Sequence, residues 1–296
     1  MSSFAPRWSL VVFAASCLAV LLPRIPPRPR EDPADLIASL RERAKPAPLV
    51  VAHRGASEGF PENTLPAFAE AVRVGAELVE LDFHQTKDGV LVCLHDATLD
   101  RTTDARVVFG GERLAVAERN AEDLARLDAG RWKHARFAGT RIPTLAEALD
   151  VIQPRATTMI EHKAGRAEDL VELLRSKRLV ERVLVQSFDW DWLATLHALE
   201  PRIAIAALSG DPPSDARLDE VRRTGAAILH WDHRRLRVED VARMRERGFL
   251  VCTYTIDADV ALLGAPALGL DLVTTNVPAR LVALIAGGQC RRGRTN

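Results

Sequence analysis

Four short stretches of the chain carry side chains able to do chemistry together. His53 and Arg54 follow the apolar run PLVVA, Glu80 and Asp82 stand two apart in ELVELDF, His95 closes VLVCLH, and Glu161 and Lys163 stand two apart in MIEHK. Residues two apart on a strand share a face, so Glu80 and Asp82 point the same way. Two such carboxylates repel unless a cation offsets them. A hard divalent ion, Mg²⁺ or Ca²⁺, prefers oxygen ligands, and Glu161 supplies a third carboxylate. Without that ion, Glu80 and Asp82 read as a salt-bridged pair. No cysteine lies beside them, which disfavours zinc. Imidazole titrates near neutrality, so His53 and His95 bracketing the cluster fit general acid–base work, whereas a lone strand-end histidine reads as structural. Arg54 and Lys163 either balance the carboxylates or hold phosphate oxygens. One divalent cation, two acid–base groups and two cationic clamps suit hydrolysis of a phosphate ester.

Such a cluster needs a rigid scaffold, and the pattern from residue 49 onward describes one. Short β-rich runs alternate with helical patterns: PLVVAHRG, ELVELDF, TTMIEHK, VLVQSF, IAIAAL, AAILHW, LVCTYT and DLVTTN are each followed by an amphipathic stretch. Eight continuous apolar strands with a helix after each predict a (β/α)8 TIM barrel, with VLVCLH left over as the return strand of a hairpin. Active sites of this fold sit at the C-terminal ends of the strands. Read in order, those ends carry His53-Arg54, Glu80 and Asp82, Glu161 and Lys163, Gln186-Ser187, His230, Tyr254 and Thr275-Asn276. Polar residues thus gather at one rim.

The hairpin makes a sharper prediction. Asp88-Gly89 is a strong two-residue turn signal. With that turn, Lys87 faces Val90, and pairing back in step sets Asp82 opposite His95, on the same face. A bulge would shift the register by one.

The remaining chain sets bounds. Of 296 residues, 47% are hydrophobic, and 40 basic residues balance 40 acidic ones, so no global field favours nucleic acid and any anion needs a local site. Cys17, Cys93, Cys252 and Cys290 are scattered without a CxxC pair, which argues against a disulfide framework. Residues 8–22, WSLVVFAASCLAVLL, form an uncharged run shorter than the roughly 18 to 20 residues of a membrane span. It reads as a signal segment or a marginal anchor, giving membrane association or export. Arg24, Arg28 and Arg30 lie after it and only Arg7 before it, so an uncleaved anchor would hold the rest in the cytoplasm. The expected organisation is a hydrophobic segment over 1–23, a Pro/Arg-rich linker over 24–46, a barrel over 47–288 with a polar insertion over 97–141, and a basic tail over 289–296.

His53-Arg54-Gly55, Pro61-Glu62-Asn63-Thr64, Glu80-Leu81-Asp82, Asp88-Gly89, His95-Asp96, Arg101-Thr102-Thr103, Ile142-Pro143-Thr144-Leu145, Glu161 with Lys163, Gln186-Ser187-Phe188, Thr253-Tyr254-Thr255 and Thr274-Thr275-Asn276 occur in one order over residues 49 to 286. Together they resemble the glycerophosphodiester phosphodiesterase family. The resemblance implies a TIM barrel that cleaves glycerophosphodiesters to glycerol 3-phosphate and an alcohol. It implies His53 and His95 as the acid–base pair, Glu80, Asp82 and Glu161 as ligands of one divalent cation, and Arg54 and Lys163 as phosphate contacts. It implies Glu62 as a site residue supporting the metal or the first histidine, Tyr254 as an aromatic wall where tryptophan is frequent, and the 97–141 insertion as a cover over the site. His162 stands where isoleucine is frequent; on a strand it should point away from Glu161 and Lys163. The alternatives are a lysophospholipase D or sphingomyelinase D-like activity on membrane lipids, and a barrel that binds phosphodiesters without turnover.

Overall fold

The computed structural model describes residues 36–291. Nine strands follow in chain order: β1 (Leu49–Ala52), β2 (Leu78–Gln85), β3 (Leu91–Cys93), β4 (Thr157–His162), β5 (Val183–Ser187), β6 (Ala204–Ser209), β7 (Ile228–Asp232), β8 (Leu250–Tyr254) and β9 (Leu272–Thr275). β1 pairs in parallel with both β2 and β9, so all strands except β3 close into an eight-stranded parallel barrel. This is the expected TIM barrel. β3 hangs antiparallel on the far end of β2, through Phe83 to Gln85.

Alternation along β2 and β4 decides which residues face the interior. Val79, Leu81 and Phe83 join the apolar layer under the helices, as does Ile160 on β4. Leu78 and Met159 join a second cluster at the barrel floor, with Leu49, Leu184, Ile228, Leu250 and Leu272. Glu80, Asp82 and Glu161 follow on the inward side and are buried. The interior thus runs from an apolar floor to a charged mouth.

Part of the floor comes from a stretch expected to be linker. Residues Leu36–Arg43 form a helix whose Leu40 is wholly buried, with Leu36, Ile37 and Ala44 packed beside it against the strand starts. Burying one leucine contributes about 1.5–3 kcal/mol, enough to dock a short helix that has little propensity to form alone. The expected 24–46 linker therefore does not extend through 36–43. At the other end Cys290 is buried with its thiol toward the Leu262 carbonyl, so the body of the barrel reaches past 288. The apolar 8–22 run and residues 292–296 lie outside the described residues. Among the described residues no helix is long and apolar enough to cross a membrane.

The insertion over 97–141 adds no barrel strand. It holds two short helices, Ala105–Phe109 and Ala121–Leu124, around its own core of Leu99, Ala105, Leu114, Val116, Leu124 and Leu127. Lys133 Nζ donates to the Ser57 carbonyl (2.8 Å) and Arg136 Nη2 to the Gly59 carbonyl (3.1 Å), which ties the insertion to the loop after β1.

Candidate active site

The loop after β1 turns sharply at Arg54 (φ 54°) and Gly55 (φ 81°). A Cβ on Gly55 would sit 2.6 Å from the Ala67 carbonyl carbon, so only glycine fits there. The turn aims the Arg54 backbone N–H at Glu80 Oε2 (2.8 Å). Asn63, also in the left-handed region at φ 55°, donates from Nδ2 to Asp82 Oδ2 (2.8 Å) and accepts from the Asp82 backbone N–H (3.1 Å). That two-point clamp fixes the Asp82 carboxylate on its strand.

Carboxylate oxygens of Glu80, Asp82 and Glu161 lie within 4.8 Å of one another. Parallel register explains the approach, since Asp82 pairs directly with Glu161. Burial pushes the Glu80 carboxyl well above its ordinary value, and the negative charges of Asp82 and Glu161 add to the shift. Glu161 is pushed up to about 7 by burial and then by Asp82, against Lys163. Burial pushes Asp82 up as well, yet Lys163, Arg54, His95 and the Asn63 amide outweigh it and hold the carboxyl below its usual range. Lys163 Nζ bonds Glu161 Oε1 and stands 3.2 Å from Asp82 Oδ1, while Arg54 Nε stands 3.2 Å from Asp82 Oδ2.

These cations leave the cluster incompletely satisfied. Three buried carboxylates face two cations, and neither Glu80 Oε1 nor Asp82 Oδ1 has a hydrogen-bond partner. A buried acceptor left so costs about 1–3 kcal/mol, offset at Asp82 Oδ1 by the nearby Lys163 charge but not at Glu80 Oε1. An oxygen-seeking divalent ion fits this donor set and would relieve both deficits.

The register that brings His95 near is not the expected one. β3 pairs Phe83 with Cys93 and Gln85 with Leu91, which sets Leu94, not His95, opposite Asp82. Lys87, Asp88 and Gly89 form a three-residue loop: the Gly89 N–H bonds the Thr86 carbonyl (3.0 Å), and Gly89 takes φ 87°. Such a loop ends on a left-handed residue and adds one residue to the turn. His95 lies beyond the strand, where the His84 ring nitrogen bonds its carbonyl (3.1 Å). His95 still lies near enough for its charge to lower Asp82.

The two histidines have different partners. His53 Nδ1 is 2.7 Å from Asn276 Oδ1, whereas His95 Nδ1 is 2.7 Å from the Asp96 carboxylate. Burial, then the Arg54 charge, lowers the His53 pKa, with Asp82 and the Asn276 bond opposing. Asp96 is held by Arg101, whose hydrogen bonds lower it strongly. Arg101 also pairs with Glu62, and Arg54 donates to the same carboxylate (2.8 Å). Glu62 therefore braces two arginines and stands outside the three-carboxylate cluster. Burial alone would raise it, but the bonds from Arg101 and the charge of Arg54 bring it below its ordinary value.

Tyr254 stands at the rim between His230 (5.2 Å) and Phe188 (6.0 Å), edge-on to both, with its hydroxyl on the Ser209 carbonyl (3.0 Å). His162 does point away from the cluster, stacked on Trp192 at 3.8 Å outside the barrel. Beneath the mouth, Gln186 Nε2 reaches Glu161 (3.4 Å), and its Oε1 meets His230 Nδ1 (2.6 Å). The roles of Asn63, Asp96, Arg101, Gln186 and Asn276 were not read from the sequence. All five fall within motif or strand-end stretches singled out there, which was the available signal.

A closed parallel barrel with three buried carboxylates at its mouth fits a phosphodiester hydrolase, and comparison with known proteins agrees. A profile of the glycerophosphoryl diester phosphodiesterase family matches residues 53–280. The glycerophosphodiester phosphodiesterase of Bacillus subtilis is 32% identical over 253 residues, covering 78% of this chain and 84% of the relative. That of Caldanaerobacter subterraneus is 33% identical over 251 residues, covering 81% and 98%. The structure of an Oleispira antarctica phosphodiesterase in complex with the product sn-glycerol-3-phosphate superposes with TM-score 0.73 at 30% identity, covering 81% of this chain and 97% of that one. A glycerophosphodiester phosphodiesterase from Agrobacterium tumefaciens gives 0.69 at 27%, covering 79% and 99%. The chain belongs to the glycerophosphoryl diester phosphodiesterase family, whose members are phosphoric diester hydrolases.

Proposed function

We propose that the protein hydrolyses glycerophosphodiesters to glycerol 3-phosphate and an alcohol, with one divalent cation, Mg²⁺ or Ca²⁺, held by Glu80, Asp82 and Glu161. The observation that carries this reading is the meeting of three buried carboxylates, with Glu80 Oε1 and Asp82 Oδ1 lacking a hydrogen bond, near two histidines whose charges interact with Asp82. The cation, when bound, would offset charge on the phosphate and on the oxygen that attacks it. Arg54 and Lys163 add positive charge for the phosphate oxygens. His53, kept neutral by burial, takes at Nε2 a proton from the attacking oxygen, either water itself or a glycerol hydroxyl whose cyclic phosphate water then opens. His95 gives one to the leaving alkoxide. The product complex of the Oleispira relative, holding sn-glycerol-3-phosphate, supports a glycerophosphodiester substrate for this chain as well.

The test is a panel of glycerophosphocholine, other deacylated diesters and lysophospholipids. Glycerol 3-phosphate should appear from the deacylated diesters, cease with chelator, and fall by about 10²-fold or more in His53→Ala and in His95→Ala. Preference for lysophospholipids would contradict the proposed substrate class; absence of turnover on every diester would leave a binding barrel. Association with a membrane through residues 8–22 is proposed on their sequence, and protease access in intact cells reports the side.

A further inference from the structure

His53 is not held by a charged partner, yet its orientation is fixed at two removes. The Asp257 carboxylate accepts three bonds from one short stretch: Thr275 Oγ1 (3.0 Å), the Asn276 backbone N–H (2.8 Å) and Asn276 Nδ2 (2.7 Å). A carboxylate only accepts, so the Asn276 amide must turn its NH₂ toward Asp257 and its oxygen the other way. That oxygen faces His53 Nδ1 at 2.7 Å and the Ser57 hydroxyl at 2.8 Å. An amide oxygen also only accepts, so the hydrogen between them belongs to His53 Nδ1. In the neutral ring the other nitrogen, Nε2, is then bare. Among the described residues no side chain or backbone group is bonded to it.

Backbone bonds knit the same loops together. The His53 N–H bonds the Thr275 carbonyl (3.0 Å), the Glu58 N–H bonds the Asn276 carbonyl (3.1 Å), and the Ile256 N–H bonds the Thr274 carbonyl (2.9 Å). The His53 loop, the end of β9 and the loop after β8 therefore hold each other in place.

We propose that Asn276, oriented by Asp257, is the positioning residue that locks the His53 proton on Nδ1 and keeps Nε2 free to take a proton. This rests on the acid–base role of His53 proposed above. Neither Asn276 nor Asp257 needs to touch substrate. The arrangement also implies a symmetry: exchanging the two side chains keeps every bond. A carboxylate at 276 would accept from His53 and from an amide at 257. Single exchanges break it. Asn276→Asp sets two carboxylates against each other, and Asp257→Asn leaves the Asn276 amide free to flip.

The test uses the full chain labelled with ¹⁵N-histidine, read where the His53 ring is neutral, alongside kcat and KM for glycerophosphocholine with divalent ion present. The wild-type ring should show a protonated Nδ1 and a bare Nε2; the opposite tautomer overturns the proposal outright. Asn276→Leu should lower kcat by about 10²-fold, with KM moving less than about threefold, and mix the tautomers. The double exchange Asp257→Asn with Asn276→Asp should recover at least about tenfold in kcat over either single exchange, a rescue that loss of packing would not produce. If Asn276→Leu does not fold, the double exchange decides, and no recovery counts against the lock. His53→Ala separates the two readings. Undiminished turnover there removes the acid–base role itself. Loss of turnover there, with kcat and tautomer intact in Asn276→Leu, overturns only the positioning role.

Discussion

The two histidines of the site stand on different ground, and the contrast shows how this fold divides its labour. His53 leaves β1 directly and is tied by its backbone to β9, with a neutral amide at its ring. His95 lies past the end of a hairpin strand outside the barrel, its ring against the Asp96 carboxylate. The brace behind it is Arg101, whose side chain is 44% exposed, reaching Asp96 and Glu62 together. One mount is built of barrel backbone; the other is an ion-pair network at the edge of the insertion. Both hold their rings near enough to Asp82 to interact with its charge.

The two mounts share Asp82, and the largest effect is expected there. Asp82→Asn removes the carboxylate that Asn63, Arg54 and Lys163 all address. Turnover should fall by about 10³-fold or more, and affinity for divalent ion should drop with it in a calorimetric titration. A smaller effect belongs to the outer mount. Arg101→Ala frees Asp96 and one side of Glu62 while leaving β1 and β9 untouched. It should cost roughly 10- to 100-fold in kcat through a misplaced His95, with no change in the His53 tautomer. A full loss of fold on that change would show the insertion to be less separate from the barrel than its own core suggests.

The smallest effect sharpens the inner mount. The His53 pKa lies below the ordinary 6.5, first through burial and then through Arg54. The ring must be neutral to accept a proton, so the lowered value extends activity toward acid. The acid limb of kcat/KM should therefore have its midpoint below 6.5, and a midpoint above it would assign that limb to another group.

How much of this was legible follows the same division. Strands buried on both faces read as continuous apolar runs, so inward carboxylates at Glu80, Asp82 and Glu161 stand out against them, and parallel register brings them level. His162 could be turned outward by counting alone. The hairpin defeated counting, because Asp88-Gly89 serves a three-residue loop as well as a two-residue one, and one added residue moves His95 off the ladder. His95 still lies near Asp82 because it directly follows Leu94, whose N–H bonds the Asp82 carbonyl (3.2 Å). The brace residues were harder still. His53 and Asn276 are 223 positions apart, and no periodicity links a loop after β1 to one after β9. The helix Leu36–Arg43 was hidden for another reason: its few apolar residues acquire meaning only once a barrel floor exists to receive Leu40.

The proposed chemistry depends on Glu80, Asp82 and Glu161 sharing one cation near His53 and His95. Anomalous diffraction from crystals grown with Mn²⁺ would locate that ion. A single strong peak bonded to oxygens of all three side chains is expected. A peak bound elsewhere, or none at those oxygens in crystals of a protein that turns over with Mn²⁺ in solution, would contradict it.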